Sequence, residues 1–378
     1  MSEDASERIV IRGVNWLGDA VMSTPALLRL REAKPSAHIA LVTEAKLAGL
    51  WQAHPAINEV IPFQRSDGIG HLSKQLRQGE FQKALILPNS FRSAFEFWLA
   101  GVPERIGFSG NGRSGFLTTV MPRRREEIHL RKRTPGEIKA LVRETPDKPR
   151  DRFPVSGHQF YDYLHLVTAL GASASPTPPR IIVKEEEIGQ FRCKHVIPDR
   201  APIVGLNPGA EYGPAKRWPA ERFVEAACLV EKAQPCAWIL TGGPADAALC
   251  DQIGAGIRTK IPNAKIYNMA GRTTLRELCT ALSVCDVVLT NDTGPMHVAA
   301  AARTPVFVPL GRSSPELTGP SVPGDERQRL VLGQAPCAPC FLRECPIDFR
   351  CMLSIPADRI ARELLGVLNA KNVPRPST

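Results

Sequence analysis

Short apolar runs alternate along the N-terminal part of the chain with longer stretches whose apolar positions recur at helical spacing. Strands that alternate with helices of this length form βαβ units and a parallel sheet. This pattern predicts a first doubly wound α/β domain. Its predicted strands are residues 8–12, 38–43, 59–63 and 83–87, and its predicted helices are residues 19–33 and 90–100.

The alternation weakens between residues 108 and 154, where Gly, Arg and Pro dominate, and we interpret this segment as an irregular excursion from the first domain. A helix is predicted at 158–170. Residues 176–179 are the best linker candidate because consecutive prolines prevent regular structure. The alternation then restarts and predicts a second doubly wound domain. Its predicted strands are residues 203–206, 237–241, 286–290 and 305–310, and its predicted helices are residues 220–233, 246–257, 275–284 and 357–368.

The composition is that of a globular protein with an anionic partner. The chain has 378 residues, enough for two domains with separate cores, and it has no apolar run long enough to span a membrane. Residues 1–7 are acidic and lack the apolar core of a signal peptide, so we expect a cytoplasmic protein. The net charge of +10 favours a nucleic acid, a membrane surface or a phosphorylated substrate as partner.

Much of the excess positive charge lies in one segment. Arg123-Arg124-Arg125 and Arg131-Lys132-Arg133 both fall within the irregular excursion. Such runs are often only solvated loops, and the alternative is a surface that binds phosphates or carboxylates. A nucleic-acid-binding face is disfavoured because no aromatic residues are interleaved with the basic ones.

The most informative segment is Asn291–Ala300, which follows a predicted strand. It starts with polar residues, among them Asp292, Thr293, Gly294 and His297, and continues into Ala- and Val-rich sequence typical of a helix. A strand, a tight turn and a helix N-terminus form an anion site, because the free N–H groups of the first turn and the helix dipole favour a phosphate.

Two further βα loops carry candidate chemistry. Gly13–Asp19 joins the first predicted strand to its helix, and Asp19 is either a helix cap or a general base that faces the ligand. Gly209–Pro219 follows the first strand of the second domain. Its small residues let phosphates approach the backbone, and Lys216 and Arg217 are placed to neutralise them. The loop lacks the spacing of a Walker A motif.

Gly110–Gly115 spells the dinucleotide-binding fingerprint G-x-G-x-x-G. We nevertheless interpret it as a loop, because it comes late in the domain and no helical pattern follows it.

Four of the ten cysteines cluster near the C-terminus, namely Cys337, Cys340, Cys345 and Cys351. Four such residues could hold zinc or an iron–sulfur cluster, but their spacing matches no standard ligand pattern well. The alternatives are reduced structural thiols or a disulfide. We expect no metal cofactor and keep these four as the candidate ligands.

Four motifs, spread in order over most of the chain, resemble the lipopolysaccharide heptosyltransferases of glycosyltransferase family 9. They are Gly18-Asp19 with Pro25, then Leu87–Ser93, Pro208–Pro219 and Asn291–Ala301. The resemblance implies a GT-B fold, in which two Rossmann-like doubly wound domains face each other across a cleft. The implied domains are an acceptor-binding domain of residues 1–178, an ADP-sugar-binding domain of residues 179–356, and a last helix at 357–370 that packs back on the first domain.

The resemblance also implies an activity, the inverting and metal-independent transfer of L-glycero-D-manno-heptose from ADP-heptose to an inner-core heptose on Kdo–lipid A. The implied partners are this donor and this acceptor, with no cofactor and no nucleic acid. The enzyme is expected in the cytoplasm, peripheral at the inner face of the inner membrane.

Residue roles follow from the same resemblance. Asp19 is expected to be the general base for the acceptor hydroxyl, and Lys216 to balance the charge of the departing diphosphate. The expected donor-binding residues are Glu211, Tyr212, Lys216, Met269, Asp292, Thr293, Gly294 and His297. The expected acceptor-binding residues are Asn89, Ser90, Arg92, Arg123, Arg124 and Arg125.

Other hypotheses fit parts of this pattern. They are a family 9 transferase with another donor or acceptor, a sugar-nucleotide epimerase with the same fold, and a non-catalytic protein that binds nucleotide sugars or lipid A. Turnover of ADP-heptose without an acceptor would favour the epimerase. Activity that depends on Asp19 would exclude the non-catalytic protein.

Overall fold

The computed structural model describes residues 7–198 and 201–372, so the acidic N-terminal residues before Glu7 lie outside the described residues. The chain divides into two units, the first made of Met1–Ile128 with Val155–Ile182 and the second of His129–Pro154 with Val183–Thr378. Each unit contains a six-stranded sheet whose strands are all parallel. The chain is therefore α/β in both halves, as the alternation of elements predicts.

The elements of the described residues are numbered in chain order. The strands are β1 (Arg8–Arg12), β2 (His38–Glu44), β3 (Glu59–Phe63), β4 (Lys83–Ile86), β5 (Glu104–Phe108), β6 (Thr119–Met121), β7 (Ile203–Asn207), β8 (Ala237–Leu240), β9 (Lys265–Asn268), β10 (Val287–Thr290), β11 (Val306–Leu310) and β12 (Gln328–Leu332). The α-helices are α1 (Leu17–Ala33), α2 (Ile69–Gln78), α3 (Phe91–Leu99), α4 (Pro135–Glu144), α5 (Phe160–Val167), α6 (Glu185–His195), α7 (Ala220–Ala233), α8 (Ala247–Lys260), α9 (Leu275–Ser283), α10 (Gly294–Ala301), α11 (Pro315–Thr318), α12 (Arg350–Leu353) and α13 (Ala357–Asn372).

Both sheets have the strand order of a dinucleotide-binding fold. The first runs β3-β2-β1-β4-β5-β6, and the second runs β12-β11-β10-β7-β8-β9, which is the same order counted from β7. The order reverses between β1 and β4 in the first sheet and between β7 and β10 in the second. Loops that leave neighbouring strands at such a point diverge and open a crevice at the carboxyl ends of the strands. The loops after β1, β4, β7 and β10 are thus the ones that the topology selects for ligands.

The sequence pattern predicts the central strands of each sheet but misses β5, β6, β9 and β12. Three of these, β6, β9 and β12, are edge strands whose residues are mostly only half-buried, so they lack the continuous apolar run of a buried parallel strand. Helices α2 and α6, which the pattern also misses, have more polar than apolar residues. Helix α4, likewise not predicted, lies in the segment rich in Gly, Arg and Pro.

The irregular excursion is divided between the two units, which corrects its assignment to the first domain. Strand β6 extends the first sheet, whereas His129–Pro154 belongs to the second unit. The physical reason is a small apolar cluster in which Ile138 of α4 packs with Cys337 and Cys340. The domain limit predicted at residue 178 is close to the observed change of unit after Ile182.

A buried arginine holds the same segment within the second unit. The guanidinium of Arg150 donates hydrogen bonds to the carbonyl oxygens of Leu310 at 3.1 Å, Ser313 at 2.6 Å and Gly333 at 3.2 Å. Burial lowers the pKa of Arg150. Carbonyl groups at the carboxyl end of β11 therefore depend on a residue that is more than 150 positions away in the chain.

The last helix also belongs to the second unit, which corrects the expectation that it packs on the first domain. Ile360, Leu364 and Leu368 of α13 lie in the core of the second unit, together with Phe223 of α7 and Trp238 of β8. Helix α13 is amphipathic, and its apolar stripe is matched by the apolar stripe of α7.

The segment with the G-x-G-x-x-G spelling is a loop, as predicted. Its Arg113 is fully buried and donates to the carbonyl oxygens of Pro88 and Ile86, which stabilises the end of β4. Within residues 7–198 and 201–372, no helix has both the length and the apolar character needed to cross a membrane.

The position of α13 can be tested by truncating one of its core residues. Leu364→Ala is expected to lower the free energy of unfolding by about 2–4 kcal/mol, because Leu364 is fully buried and its loss leaves a cavity. Arg362→Ala, on the exposed face of the same helix, should change it by less than about 0.5 kcal/mol. Urea unfolding followed by far-UV circular dichroism measures both. Equal effects of the two substitutions would contradict the placement of α13.

Candidate functional site

In the second unit, the two loops at the switch point of the sheet are bound together by one buried side chain. Asn291 follows β10, and its amide nitrogen donates to the carbonyl oxygen of Pro208 at 2.7 Å. Its amide oxygen accepts from the backbone N–H of Trp218 at 3.0 Å. Trp218 is itself anchored, since its indole N–H donates to the carbonyl oxygen of Ile355 at 3.1 Å. The loop after β7 and the turn after β10 therefore form one rigid piece.

This arrangement brings Lys216 and Asp292 into a nearly buried ion pair. Lys216 Nζ lies 2.8 Å from Asp292 Oδ2, and the two side chains are 17% and 6% exposed. The Ser313 hydroxyl, after β11, donates to the same carboxylate. Burial alone raises the pKa of Asp292, but Lys216, Ser313 and His297 together hold it below its usual value. The Lys216 side chain is 17% exposed, so its ammonium group is accessible to an anionic ligand.

Tyr212, on the loop after β7, is surrounded by three cations. Arg312 lies over the ring at 4.5 Å, while the ammonium groups of Lys216 and Lys132 lie 5.7 Å and 5.8 Å from its centroid. These cations, Lys132 foremost, lower the pKa of the Tyr212 hydroxyl. This part of the unit is therefore strongly positive, as a site for a diphosphate requires.

Arg312 is a candidate that the sequence analysis missed. The residue is buried, its pKa is lowered by that burial, and its Nε has no hydrogen-bond partner among the described residues. A buried guanidinium nitrogen without an acceptor is costly unless a ligand supplies one. Only the sheet topology points to Arg312, because the residue follows β11, the strand next to β10, at the carboxyl end of the sheet.

The other predicted donor-binding residues differ in how close they lie to the Lys216–Asp292 pair. Thr293 is the N-cap of α10 and makes no side-chain capping bond, Gly294 begins the helix, and His297 lies buried in its first turn. These three surround the helix N-terminus next to Asp292, whereas Glu211 is exposed at the start of its loop.

Met269 follows β9 and is buried. Its N–H donates to the carbonyl oxygen of Leu240 at 2.9 Å, and its carbonyl accepts from Arg272 at 3.0 Å. A nucleotide base in contact with the Met269 backbone would therefore meet a carbonyl oxygen with one lone pair left to accept a hydrogen bond.

A glycine in the loop after β7 is required by close packing. A Cβ on Gly213 would lie 2.5 Å from Cγ and 2.6 Å from the carbonyl oxygen of Arg343, in the cysteine-containing segment. The same carbonyl accepts the N–H of Ala215 at 3.1 Å. The loop that carries Lys216 is therefore fixed from behind by the segment that contains the four cysteines.

The four clustered cysteines are free in the structure. Burial raises the pKa of the Cys337 thiol, and it raises that of Cys351 to about 12. Among the described residues, no group of three or more His, Cys, Asp or Glu side chains is arranged to hold a metal ion. Cys337, Cys340 and Cys351 pack instead with α4, and Cys345 Sγ accepts the N–H of Phe349 at 3.4 Å.

In the first unit, Asp19 lies at the switch point between β1 and β4. It is the third residue of α1, whose N-cap is Trp16. Its carboxylate accepts from Gln159 Nε2 at 3.3 Å, and Gln159 also donates to the hydroxyl of Tyr163 at 2.9 Å. Burial, and next the nearby Asp19, raise the pKa of Tyr163 well above its usual value. Asp19 is thus a half-buried carboxylate held in place from α5.

The predicted acceptor residues after β4 are largely engaged in stabilising their own loop. Ser90 caps α3 by accepting from the N–H of Ser93 at 3.2 Å. Arg92 pairs with the buried Glu96 at 2.7 Å. Asn89, with its amide oriented to satisfy both neighbours, accepts from Arg123 and donates to the carbonyl oxygen of Ser109.

The basic segment is not a single surface. Arg123 pairs with Glu127 at 2.9 Å, Arg124 pairs with Asp162 of α5 at 2.7 Å, and Arg125 is exposed. Residues 131–133 belong to the second unit, which corrects their assignment to the acceptor-side domain. Arg133 there donates to the Cys337 carbonyl oxygen at 2.6 Å.

Two Rossmann-like units, one with a half-buried carboxylate and one with a cationic loop at a helix N-terminus, are the features of a GT-B glycosyltransferase. The solved structure of the E. coli ADP-heptose lps heptosyltransferase II superposes with a TM-score of 0.75 at 27% identity, over 97% of this chain and 100% of that one. The structure of an E. coli heptosyltransferase with ADP superposes with a TM-score of 0.65 at 18% identity, over 95% and 99% of the two chains, and shows the fold alone.

Sequence comparison identifies the family. The profile of glycosyltransferase family 9 (heptosyltransferase) matches residues 150–349. Lipopolysaccharide heptosyltransferase 2 of Escherichia coli (strain K12) is 30% identical over 333 residues, which cover 86% of this chain and 89% of that protein. The chain belongs to glycosyltransferase family 9 and is a glycosyltransferase.

The Lys216–Asp292 pair makes stability dependent on pH in a defined direction. The pKa of Asp292 is lower in the folded state, so its stabilising effect is present above about pH 4 and is lost as the pH falls through the folded-state value. Lys216→Met leaves the buried carboxylate without its cation and is expected to destabilise by about 3 kcal/mol at pH 7. This deficit should shrink toward pH 5, because the carboxylate of the variant then takes up a proton.

Urea unfolding at pH 7 and pH 5 measures the effect. The double variant Lys216→Met/Asp292→Asn is the control, because it removes both charges of the pair and has no carboxylate at position 292 to take up a proton. Its deficit should change less between these pH values than that of the single variant. A single-variant deficit that is the same at both pH values would show that the pair is not coupled.

Proposed function

We propose that this chain is an inverting heptosyltransferase that moves L-glycero-D-manno-heptose from ADP-heptose to the inner-core heptose of Kdo–lipid A in lipopolysaccharide core biosynthesis. The observation that carries the proposal is the Lys216–Asp292 pair at the N-terminus of α10, because it joins two of the four motifs that resemble the family. The relatives are named for heptose transfer in lipopolysaccharide, and this supports the choice of donor and acceptor.

The donor is bound by the second unit in this proposal. The diphosphate of ADP-heptose lies at the N-terminus of α10, where Thr293 and Gly294 offer backbone N–H groups and the helix dipole favours negative charge. Lys216 and Tyr212 contact the phosphates from the loop after β7. Asp292 and His297 orient the heptose, Glu211 closes the edge of the site, and the backbone of Met269 contacts the adenine.

Lys216 acts mainly on the transition state. As the bond between the anomeric carbon and the diphosphate oxygen breaks, positive charge spreads over the sugar and negative charge collects on the departing ADP. A fixed cation and fixed N–H dipoles at the diphosphate therefore stabilise the transition state more than the ground state. This role needs no metal ion at the diphosphate, because the side chain of Lys216 supplies the positive charge.

Asp19 is the general base. Its carboxylate takes the proton of the acceptor hydroxyl while the hydroxyl oxygen forms a bond to the anomeric carbon, and the electrons of the breaking bond leave with ADP. Gln159 orients the carboxylate by donating to Asp19 Oδ1 at 3.3 Å. Asp19 lies in the first turn of α1.

The acceptor residues are proposed in the first unit around the N-terminus of α3. Asn89, Ser90 and Arg92 line the loop after β4, and Arg123, Arg124 and Arg125 follow β6. Arg125 is the best placed for direct contact with phosphates or carboxylates of the acceptor because it is exposed, while Arg124 acts through the ion pair that positions α5. We place the enzyme in the cytoplasm, peripheral at the inner face of the inner membrane, where donor and acceptor meet.

The activity can be tested directly with defined acceptors. The protein is incubated with ADP-heptose and either Kdo–lipid A that carries one heptose or Kdo–lipid A without heptose, and the products are analysed by mass spectrometry. We expect the addition of one heptose to the first acceptor, the release of ADP, and little product with the second. Conversion of ADP-heptose without any acceptor would indicate an epimerase, and binding without turnover would indicate a non-catalytic protein.

The base is tested by an isosteric substitution. Asp19→Asn should lower kcat by ~100- to 10,000-fold with little change in the KM for ADP-heptose, because it removes proton transfer but keeps the shape of the site. Asp147→Asn, the same change at an exposed carboxylate of the second unit, is the control and should leave both constants unchanged. Transfer by Asp19→Asn at a rate near that of the wild type would refute the assignment of the base.

A further inference from the structure

A group of four aromatic rings lies at the surface of the first unit and has no role in the proposed chemistry. Phe91, Phe95 and Trp98 of α3 and Phe116 contact one another with ring centroids 5.1–5.8 Å apart. Phe91 is 48% exposed and Trp98 is 46% exposed. We call these four residues the aromatic surface.

Phe116 also packs against the core of the unit, whereas folding leaves Phe91 and Trp98 about half exposed. Helix α3 already buries one face, which includes Ala94 and the fully buried Phe97. Phe91, Phe95 and Trp98 follow the i, i+4, i+7 spacing of a second stripe on the same helix. Leu99, next to Trp98, is exposed as well. A contiguous apolar patch of this kind on a folded unit marks an interaction surface.

Basic side chains border the aromatic surface. Arg77 of α2 is exposed and donates to the carbonyl oxygen of Leu99 at 2.9 Å, and Arg105 Nε donates to that of Phe116 at 2.6 Å. Lys74 is exposed on α2, the helix that packs beside α3. The cations therefore lie next to the rings on two sides.

The acidic groups of this region are mostly paired. Glu96 is buried and pairs with Arg92 and Arg12, and Glu104 pairs with Lys83. Glu80, just after α2, is exposed. Exposed aromatic rings bordered by cations are complementary to a bilayer surface with anionic head groups, where Trp and Phe insert at the level of the head groups and Lys and Arg contact lipid phosphates.

The helix that carries these rings also begins at the proposed acceptor loop. Ser90 caps α3, and Trp98 lies eight residues further along, about 12 Å at the rise of an α-helix. A lipid-linked acceptor keeps its acyl chains in the bilayer while its sugars project from it, so a helix with membrane contact along its length and acceptor residues at its start suits such a substrate.

We propose that the aromatic surface docks the enzyme on an anionic lipid bilayer, with Phe91 and Trp98 inserted among the head groups. The inference deepens the proposed function, on which its link to a lipid-borne acceptor rests, but the docking itself is measurable without catalysis. A second copy of the chain is the competing occupant.

Vesicle binding tests the docking. The full chain is sedimented with vesicles of phosphatidylethanolamine and phosphatidylglycerol or with vesicles of phosphatidylcholine alone. We expect binding to the anionic vesicles that weakens as salt is raised. Phe91→Ser/Trp98→Ser should reduce the partition coefficient at least about tenfold, because it removes two apolar groups from the lipid interface. The matched control is Val196→Ser/Leu229→Ser, which removes two exposed apolar side chains, 80% and 39% exposed, from the second unit and should bind like the wild type.

Two further measurements distinguish insertion of the rings from loss of folding in the variant. Brominated lipids should quench the fluorescence of the bound protein, and Trp98→Phe should bind but lose most of that quenching. Phe91→Ser/Trp98→Ser should transfer heptose to a delipidated acceptor like the wild type but be slow on the acceptor in vesicles, which also shows that the variant is folded.

Three results would overturn the inference. They are failure of the wild type to bind anionic vesicles, binding by the Phe91→Ser/Trp98→Ser variant equal to that of the wild type, and a wild-type dimer in sedimentation velocity that this variant converts to a monomer. Vesicle binding that depends on the rings in a protein without transferase activity would leave the docking intact and refute the proposed function alone.

Discussion

The side chain of Asn291 is the constraint on which the second unit's site depends. It is fully buried and joins the loop after β7 to the turn after β10 through two hydrogen bonds. Without it, the loop that carries Lys216 loses its side-chain hydrogen bonds to the turn after β10, and the Lys216–Asp292 ion pair must hold the two together in a buried position. Preorganisation of this kind allows one cation to stabilise a transition state, because no reorganisation is needed when charge develops. In the first unit, the amide of Gln159 holds the carboxylate of Asp19.

The sequence contains much of this site because the fold itself brings the relevant loops together. Once the strands are placed and the sheet is parallel, the loops after its first and fourth strands meet at the switch point. Lys216 and Asp292 become neighbours for that reason, although 76 positions separate them in the chain. Arg312 is not predicted because it follows β11, a different strand from the two that carry Lys216 and Asp292. No local sequence pattern indicates that a particular arginine is buried.

The limits of local pattern are clearest in the segment around α4. Its Pro, Arg and Lys content is typical of a solvated loop, yet Arg150 is buried among carbonyl groups and Ile138 packs on cysteines that are about 200 positions away. Pairings of this range leave no periodic signal in either partner. The same holds for α13, whose amphipathic stripe predicts a helix but does not say which unit it covers. The structure places α13 in the core of the second unit.

The division of the units along the chain has a consequence for how the protein is made. The chain passes from one unit to the other after Ile128, after Pro154 and after Ile182. During translation, His129–Pro154 therefore leaves the ribosome long before residues 310–340, with which this segment packs, have been synthesised. All strands of the first unit have been synthesised by the time the ribosome reaches residue 182. The core of the second unit is complete only after α13 has been synthesised. A fragment that starts at the proline-rich linker would lack Arg150, so the second unit is not separable by a single cut.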